Sequence, residues 1–218
     1  ASKGYAVLAL GHTDSTFTDQ ADPLSTLRNR SLDVALAVRL AADLERHHPQ
    51  LAQVWDTATS ALVGFSMGGY GVLMALGAGL EEHAFDDPFF DDPMRRELLA
   101  DLRLGHPFFE DMADGVTSRV KAGVLLAPWG GERVWTDAAL AQVRTPLFIA
   151  AGSEDDVSAY HAIRRLFGAT TATESAGNHD GGTASRAASC RRTVRKSWAS
   201  GSLASAPDWT SPGRTFAR

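Results

Sequence analysis

Ser66 sits in Gly64-Phe65-Ser66-Met67-Gly68, after the apolar run Ser60-Ala61-Leu62-Val63-Gly64-Phe65 and before a run of small and apolar residues from Met67 to Gly79. This is the Gly-x-Ser-x-Gly spacing of a serine held on a tight strand-to-helix turn. Such a turn requires small residues two before and two after the serine. It forces the serine into a strained backbone conformation and lifts its hydroxyl above the strand end, with a helix N-terminus behind it. A hydroxyl is a poor nucleophile until a base takes its proton, so partners are required. They follow in the chain. The run Thr145-Pro146-Leu147-Phe148-Ile149-Ala150-Ala151-Gly152 reads as a buried parallel strand, with a Pro at its start and a Gly at its end. Ser153-Glu154-Asp155-Asp156-Val157 comes directly after it, and Glu174 to Asp180 reads as a loop carrying His179. In the order Ser, Asp, His, the imidazole is the base and the carboxylate fixes its tautomer.

His179 has six rivals. His47, His48 and His83 fall at helix ends, His161 lies on the helix after Asp155, and His106 lies in an insertion. His12 follows a strand end and so stands at the same edge. It precedes the expected acid, an order that suits a pocket wall and not the base.

The elements that must position these residues alternate in type. Strands are expected at Tyr5–Leu10, Leu62–Phe65, Val120–Ala127 and Leu147–Ala151. Helices are expected over Ser31–Leu44, with Leu at 32, 36, 40 and 44 on one face, over Met67–Gly79, and over Val157–Phe167. Strand–helix alternation predicts an α/β fold with a mostly parallel central sheet covered by helices, and reactive groups gather at the carboxyl ends of such strands. Arg30 and Asp33 are spaced to pair across one helical turn. Asp155 is also placed to cap the helix that follows it.

The chain resembles the α/β-hydrolases of the dienelactone hydrolase and platelet-activating-factor acetylhydrolase-like group. The resemblance rests on Lys3 to Leu10 with Gly11-His12-Thr13-Asp14-Ser15, the elbow Gly64 to Gly69, Leu126-Ala127-Pro128-Trp129-Gly130, Gly152 to Val157, and Gly177-Asn178-His179. It implies a serine esterase with Ser66 as nucleophile, His179 as base and Asp155 as acid, three residues after the strand-ending glycine; Asp156 is the fallback. It implies cleavage of carboxylic esters through an acyl-enzyme, with no cofactor and no metal. The Met67 backbone N–H is the expected oxyanion donor, as the residue after the nucleophile. His12, Trp129, Phe89 and Phe90 are the expected substrate contacts. Dienelactone hydrolases proper carry cysteine at the elbow, and Ser66 points instead to ordinary ester chemistry. The family also places an oxyanion loop, often His-Gly, after a strand upstream of the Gly4-Tyr5-Ala6-Val7 strand. This sequence begins inside that region, so the first strands and that loop are expected to be absent. Two alternatives stay open: a lipase, phospholipid acetylhydrolase or polyester hydrolase of the same fold, and an impaired chain that acts only as a binding domain.

Composition bounds the rest. In 218 residues, 44% hydrophobic content is enough for one sizeable core, and the net charge is −5. No apolar run is long enough to span a bilayer. The lone Cys190 excludes an intrachain disulfide and a Cys-based zinc site. The expected domains are a hydrolase core over 1–180, with a cap-like insertion over 81–119, and a tail over 181–218. The insertion is rich in acid and Phe, with Asp86-Asp87-Pro88-Phe89-Phe90-Asp91-Asp92 at its centre. Either it is a lid lining an acyl pocket, or a surface excursion with its Phe side chains packed on the body. The tail carries seven Lys/Arg against one acid and has no helix or strand period, so it is expected to be disordered. It contains no recognisable nucleic-acid module. The expected partner is a small ester.

Overall fold

The structure, a computed structural model, describes residues 3–16, 22–88, 90–103 and 112–176. It is an α/β arrangement: three parallel strands flanked by helices. Helix α1 (Pro23–His47) is followed by a short α2 (Pro49–Ala52), strand β1 (Ser60–Phe65) and α3 (Met67–Ala75). A 3-10 turn (Glu82–Asp86), α4 (Asp92–Arg103) and α5 (Met112–Thr117) lead to β2 (Val120–Leu126). Then come α6 (Asp137–Leu140), β3 (Leu147–Ala150) and α7 (Tyr160–Ala176). The sheet order is β1-β2-β3. Phe65 lies opposite Leu126, and Leu126 opposite Ala150, so all three carboxyl ends share one edge.

Helix α1 starts earlier than its apolar pattern predicts. Asp22 Oδ1 accepts from the Leu24 and Ser25 N–H groups at 2.9 and 3.0 Å. Pro23 opens the first turn, where its missing N–H costs nothing. The buried face is not the leucine stripe. Leu27, Ser31, Val34, Ala35, Val38 and Ala41 point inward, while Leu36 and Leu40 are more than half exposed. A strict four-residue repeat drifts about 40° per step around a helix of 3.6 residues per turn, so it leaves any one face quickly.

Small residues let the layers close. A Cβ on Gly123 would stand 2.7 Å from the Leu147 side chain and 3.1 Å from Leu76, so β2 lies directly under α3. A Cβ on Gly71 would stand 2.9 Å from Arg30 Cγ, so the Arg30 stem lies against α3. Tyr70, on the inner side of α3, is fully buried. Its ring meets Trp129 edge-on at 6.0 Å and stacks on Trp135 at 5.6 Å, and its hydroxyl donates to Leu27 O at 2.8 Å. On the opposite face of the sheet, Val63 and Phe65 are exposed, so burial at β1 is one-sided.

Three expectations change. Residues 5–10 form no strand; Tyr5 and Val7 are about three-quarters exposed. Apolar β-formers make a strand only when a ladder receives their N–H and C=O groups, and this segment pairs with no strand among the described residues. Helix α3 stops at Ala75 and not at Gly79, where Gly77 turns the chain at φ 100°. Helix α7 begins three residues later than expected and runs to Ala176, so Glu174 to Ala176 are helical and not part of a loop.

In the insertion, Phe85 and Phe90 are core residues, packed edge to face at 5.5 Å, with Leu98 and Val116 buried in the same cluster. Arg28 of α1 ties α4 down through Asp101 and through Glu97 at 3.0 Å. Phe89, His106, Phe108 and Phe109 lie outside the described residues.

Candidate active site

Ser66 ends β1 at φ 50° and ψ −117°, a left-handed backbone conformation for a residue that has a Cβ. Its neighbours hold it there. Ser66 N–H donates to Leu126 O at 2.9 Å, and Ser66 O accepts from Gly69 N–H at 2.8 Å and Trp129 N–H at 3.1 Å. A Cβ on Gly64 would fall 2.3 Å from Gly68 O. A Cβ on Gly69 would fall 2.7 Å from the Pro128 side chain. At Gly68 the nearest atom would be Arg30 Nη1 at 3.9 Å, an ordinary contact. Steric need therefore falls on Gly64 and Gly69, and not on Gly68 as the spacing suggested. Pro128, two residues after β2, is the sequence signal for Gly69.

The Ser66 hydroxyl makes no hydrogen bond to a described residue. Ser66 lines a cavity of about 400 Å³ together with Leu27, Phe65, Met67 and Gly68. Ser15 and Arg30, which no motif points to as part of this site, line it as well. Burial draws the Arg30 guanidinium below its ordinary value and Asp33 opposes the shift. Arginine keeps its charge at neutral pH regardless.

The loop after residue 10 is strapped to α1. His12 Nδ1 donates to Asp33 Oδ2 at 2.7 Å; a carboxylate only accepts, so Nδ1 carries the proton. Ser25 Oγ donates to Asp14 Oδ2 at 3.0 Å, and Thr26 Oγ1 to Asp14 O at 3.3 Å. Arg30 bonds to Ser15. Asp33 thus takes His12 as its hydrogen-bond partner, while Arg30, expected to pair with Asp33, turns its donors to Ser15. His12 and Trp129 are not among the described residues that line the Ser66 cavity. Phe90 is committed to the core, and Phe89 lies outside the described residues.

Asp155 stands in the turn after β3, at the same sheet edge as Ser66; β3 is two strands from β1, about 10 Å by strand spacing. Its Oδ1 accepts from Val157 N–H at 3.1 Å and Ser158 N–H at 2.8 Å. Its Oδ2 has no partner among the described residues. Asp156 is exposed. His179 lies outside the described residues, so the structure places two of the three expected triad members.

A larger cavity, about 610 Å³, shares no described residue with the first and is lined by Arg133, Trp135, His161 and Arg165 among others. Each of its basic side chains already meets a carboxylate: Arg133 with Asp87, His161 with Glu132, Arg165 with Asp137. Among the described residues, no three His, Cys, Asp or Glu side chains gather as a metal-binding group, and no helix is long and apolar enough to cross a membrane.

Comparison with protein-family models, with curated proteins and with solved structures gave no match to this chain.

Proposed function

We propose that the chain is a serine hydrolase of the α/β-hydrolase fold that cleaves carboxylic esters. One observation carries the reading: Ser66 is held at φ 50° at the carboxyl end of a parallel strand, its hydroxyl bonded to no described residue, in a cavity beside the N-terminus of α3. In this reading Ser66 Oγ attacks the ester carbonyl carbon as its proton passes to His179. The carbonyl oxygen becomes an oxyanion and takes the Met67 N–H. The C–O bond breaks, and the alcohol leaves with the proton from the imidazole. Water, deprotonated by His179, then frees the acid and restores Ser66. Asp155 orients the imidazole through its unused oxygen.

A fluorophosphonate probe followed by mass spectrometry of the adduct tests this. The expected result is one adduct, on Ser66, absent in Ser66→Ala. A folded chain that takes no adduct would overturn the reading and favour a binding domain.

The second reading, an esterase for lipid or polymer surfaces, is supported by Phe65. This ring lines the Ser66 cavity and is 71% exposed, next to an exposed Val63 on the same sheet face. Higher turnover on emulsified or polymeric esters than on soluble short-chain esters would select it.

A further inference from the structure

An oxyanion needs more than one donor, and Met67 N–H supplies only one. Ser15 lines the same cavity as Ser66 and Met67, yet is only 8% exposed. Its Oγ accepts two hydrogen bonds from one guanidinium: from Arg30 Nη2 at 2.6 Å and from Arg30 Nε at 3.2 Å. Nη2 also reaches Ser15 O at 2.5 Å. A guanidinium has donors and no acceptor, and a serine oxygen has two lone pairs. Arg30 therefore occupies the accepting capacity of this hydroxyl and cannot take its proton. Among the described residues, nothing else takes it. Among those residues the O–H is left without an acceptor, on a residue that lines the cavity.

Two charge-assisted bonds to the oxygen also make that O–H a stronger donor than a free hydroxyl. The group is rigid from both sides. Ser15 N–H donates to His12 O at 3.3 Å, and His12 is bonded to Asp33. Arg30 is wedged against Gly71. A donor fixed before the reaction is what oxyanion stabilisation requires.

We propose that Ser15 Oγ–H, polarised by Arg30, is a second donor to the carbonyl oxygen of the substrate and to the oxyanion formed from it. The proposal rests on the ester-hydrolase reading and adds a catalytic residue to it; Arg30 is its positioning residue.

The test is steady-state hydrolysis of a p-nitrophenyl ester by the full chain, beside Ser66→Ala, Ser15→Ala, Ser15→Thr and Ser15→Cys. Each variant is melted to check its fold. Loss of Ser15 Oγ should lower kcat by about 10²–10³ with little change in KM, because the bond strengthens as charge develops. Ser15→Thr keeps the hydroxyl and should recover most of kcat. Ser15→Cys keeps the shape with a weaker donor and should fall between. Affinity for a trifluoromethyl ketone, which forms a tetrahedral oxyanion on Ser66, should fall in step with kcat/KM. Arg30→Met should lower kcat in Ser15 and add nothing in Ser15→Ala, a non-additivity that a structural role at two separate places would not give. Turnover that needs Ser66 but is unchanged in folded Ser15→Ala, or in Ser15→Cys should the alanine variant not fold, overturns this inference alone. A chain with neither turnover nor a Ser66 adduct overturns the hydrolase reading and this inference with it.

Discussion

Two turns at the same edge of the sheet carry proposed catalytic side chains and are built in opposite ways. At the elbow, β1 passes into α3 under backbone contacts closer than any added carbon would allow: Gly64 against Gly68 O, and Gly69 against Pro128. Ser66 itself is held at φ 50°. In the turn after β3, an added Cβ on Gly152 would have no atom of a described residue within 4 Å. There the Asp155 carboxylate makes the turn, by accepting two N–H groups ahead of α7. The nucleophile is positioned by sterics on the main chain and the acid by its own hydrogen bonds. The first arrangement tolerates no added volume. The second tolerates any side chain that can still accept.

The largest effect separates chemistry from strain at one residue. Ser66→Gly should abolish turnover, by about 10⁴–10⁶ on the scale of nucleophile removals in serine hydrolases. The same change should stabilise the fold by about 1 kcal/mol, because glycine occupies φ 50° without the Cβ penalty. Turnover and thermal melting of one sample read both. A variant that loses stability would mean that the left-handed conformation stores no strain. Next comes Asp155→Asn. The amide oxygen can still accept from Val157 and Ser158, so melting should move little. Turnover should fall by about 10³–10⁴ through loss of the charge that orients the imidazole. Equal losses in Asp155→Asn and Asp156→Asn would break the assignment of the acid.

Gly64→Ala against Gly152→Ala measures the comparison directly. The first places a carbon 2.3 Å from a backbone oxygen and should cost about 3 kcal/mol or more, or prevent folding. The second meets no described residue and should stay within about 0.5 kcal/mol. Similar denaturant midpoints would remove the distinction between the two turns. Beneath the elbow, Tyr70→Phe removes the side-chain donor to Leu27 O and should cost about 1 kcal/mol. Burial also raises the Tyr70 pKa above its ordinary value. The phenol is protonated in both states below about pH 10, so its contribution is intact there. As pH rises further, the unfolded chain releases this proton and the folded chain does not. Stability should then fall by up to about 1.4 kcal/mol per pH unit, a slope that Tyr70→Phe should reduce.

What the sequence made legible follows the same division. The strand ends at Phe65, Leu126 and Ala150, and the elbow between β1 and α3, are local: apolar runs bounded by Gly, Pro or a small-residue helix specify them. What depends on partners was not legible. Tyr5 to Leu10 has the composition of a strand, but strandhood is a pairing, and no pattern within six residues reveals whether a ladder stands beside them. Leu36 and Leu40 look like core because they are leucines, yet α1 turns Ala35, Ala41 and Ala42 inward instead. Phe90 reads as a lid residue by composition and is buried against Phe85. Ser15 closes the run Gly11-His12-Thr13-Asp14-Ser15, but nothing in that run places it beside Ser66; the contact with Arg30, one turn before Asp33 on another element, is a tertiary fact.

The smallest effect is the sharpest check on what the motif means. Gly68 is the last glycine of Gly-x-Ser-x-Gly, and by spacing alone it should matter as much as Gly64. The geometry says otherwise. An added carbon at Gly68 would stand 3.9 Å from Arg30 Nη1 with nothing nearer, and the residue lies in the first turn of α3 with no positive φ. Alanine there also favours the helix over glycine by up to about 1 kcal/mol. Gly68→Ala should therefore melt within about 0.5 kcal/mol of the parent, or slightly above it, and keep its Ser66 adduct. Gly69→Ala, one residue on, meets Pro128 at 2.7 Å and should lose the elbow. If Gly68→Ala unfolds and Gly69→Ala does not, then α3 meets the loop after β2 differently from this packing, and the cavity that joins Ser66 to Ser15 and Arg30 would have to be redrawn with it.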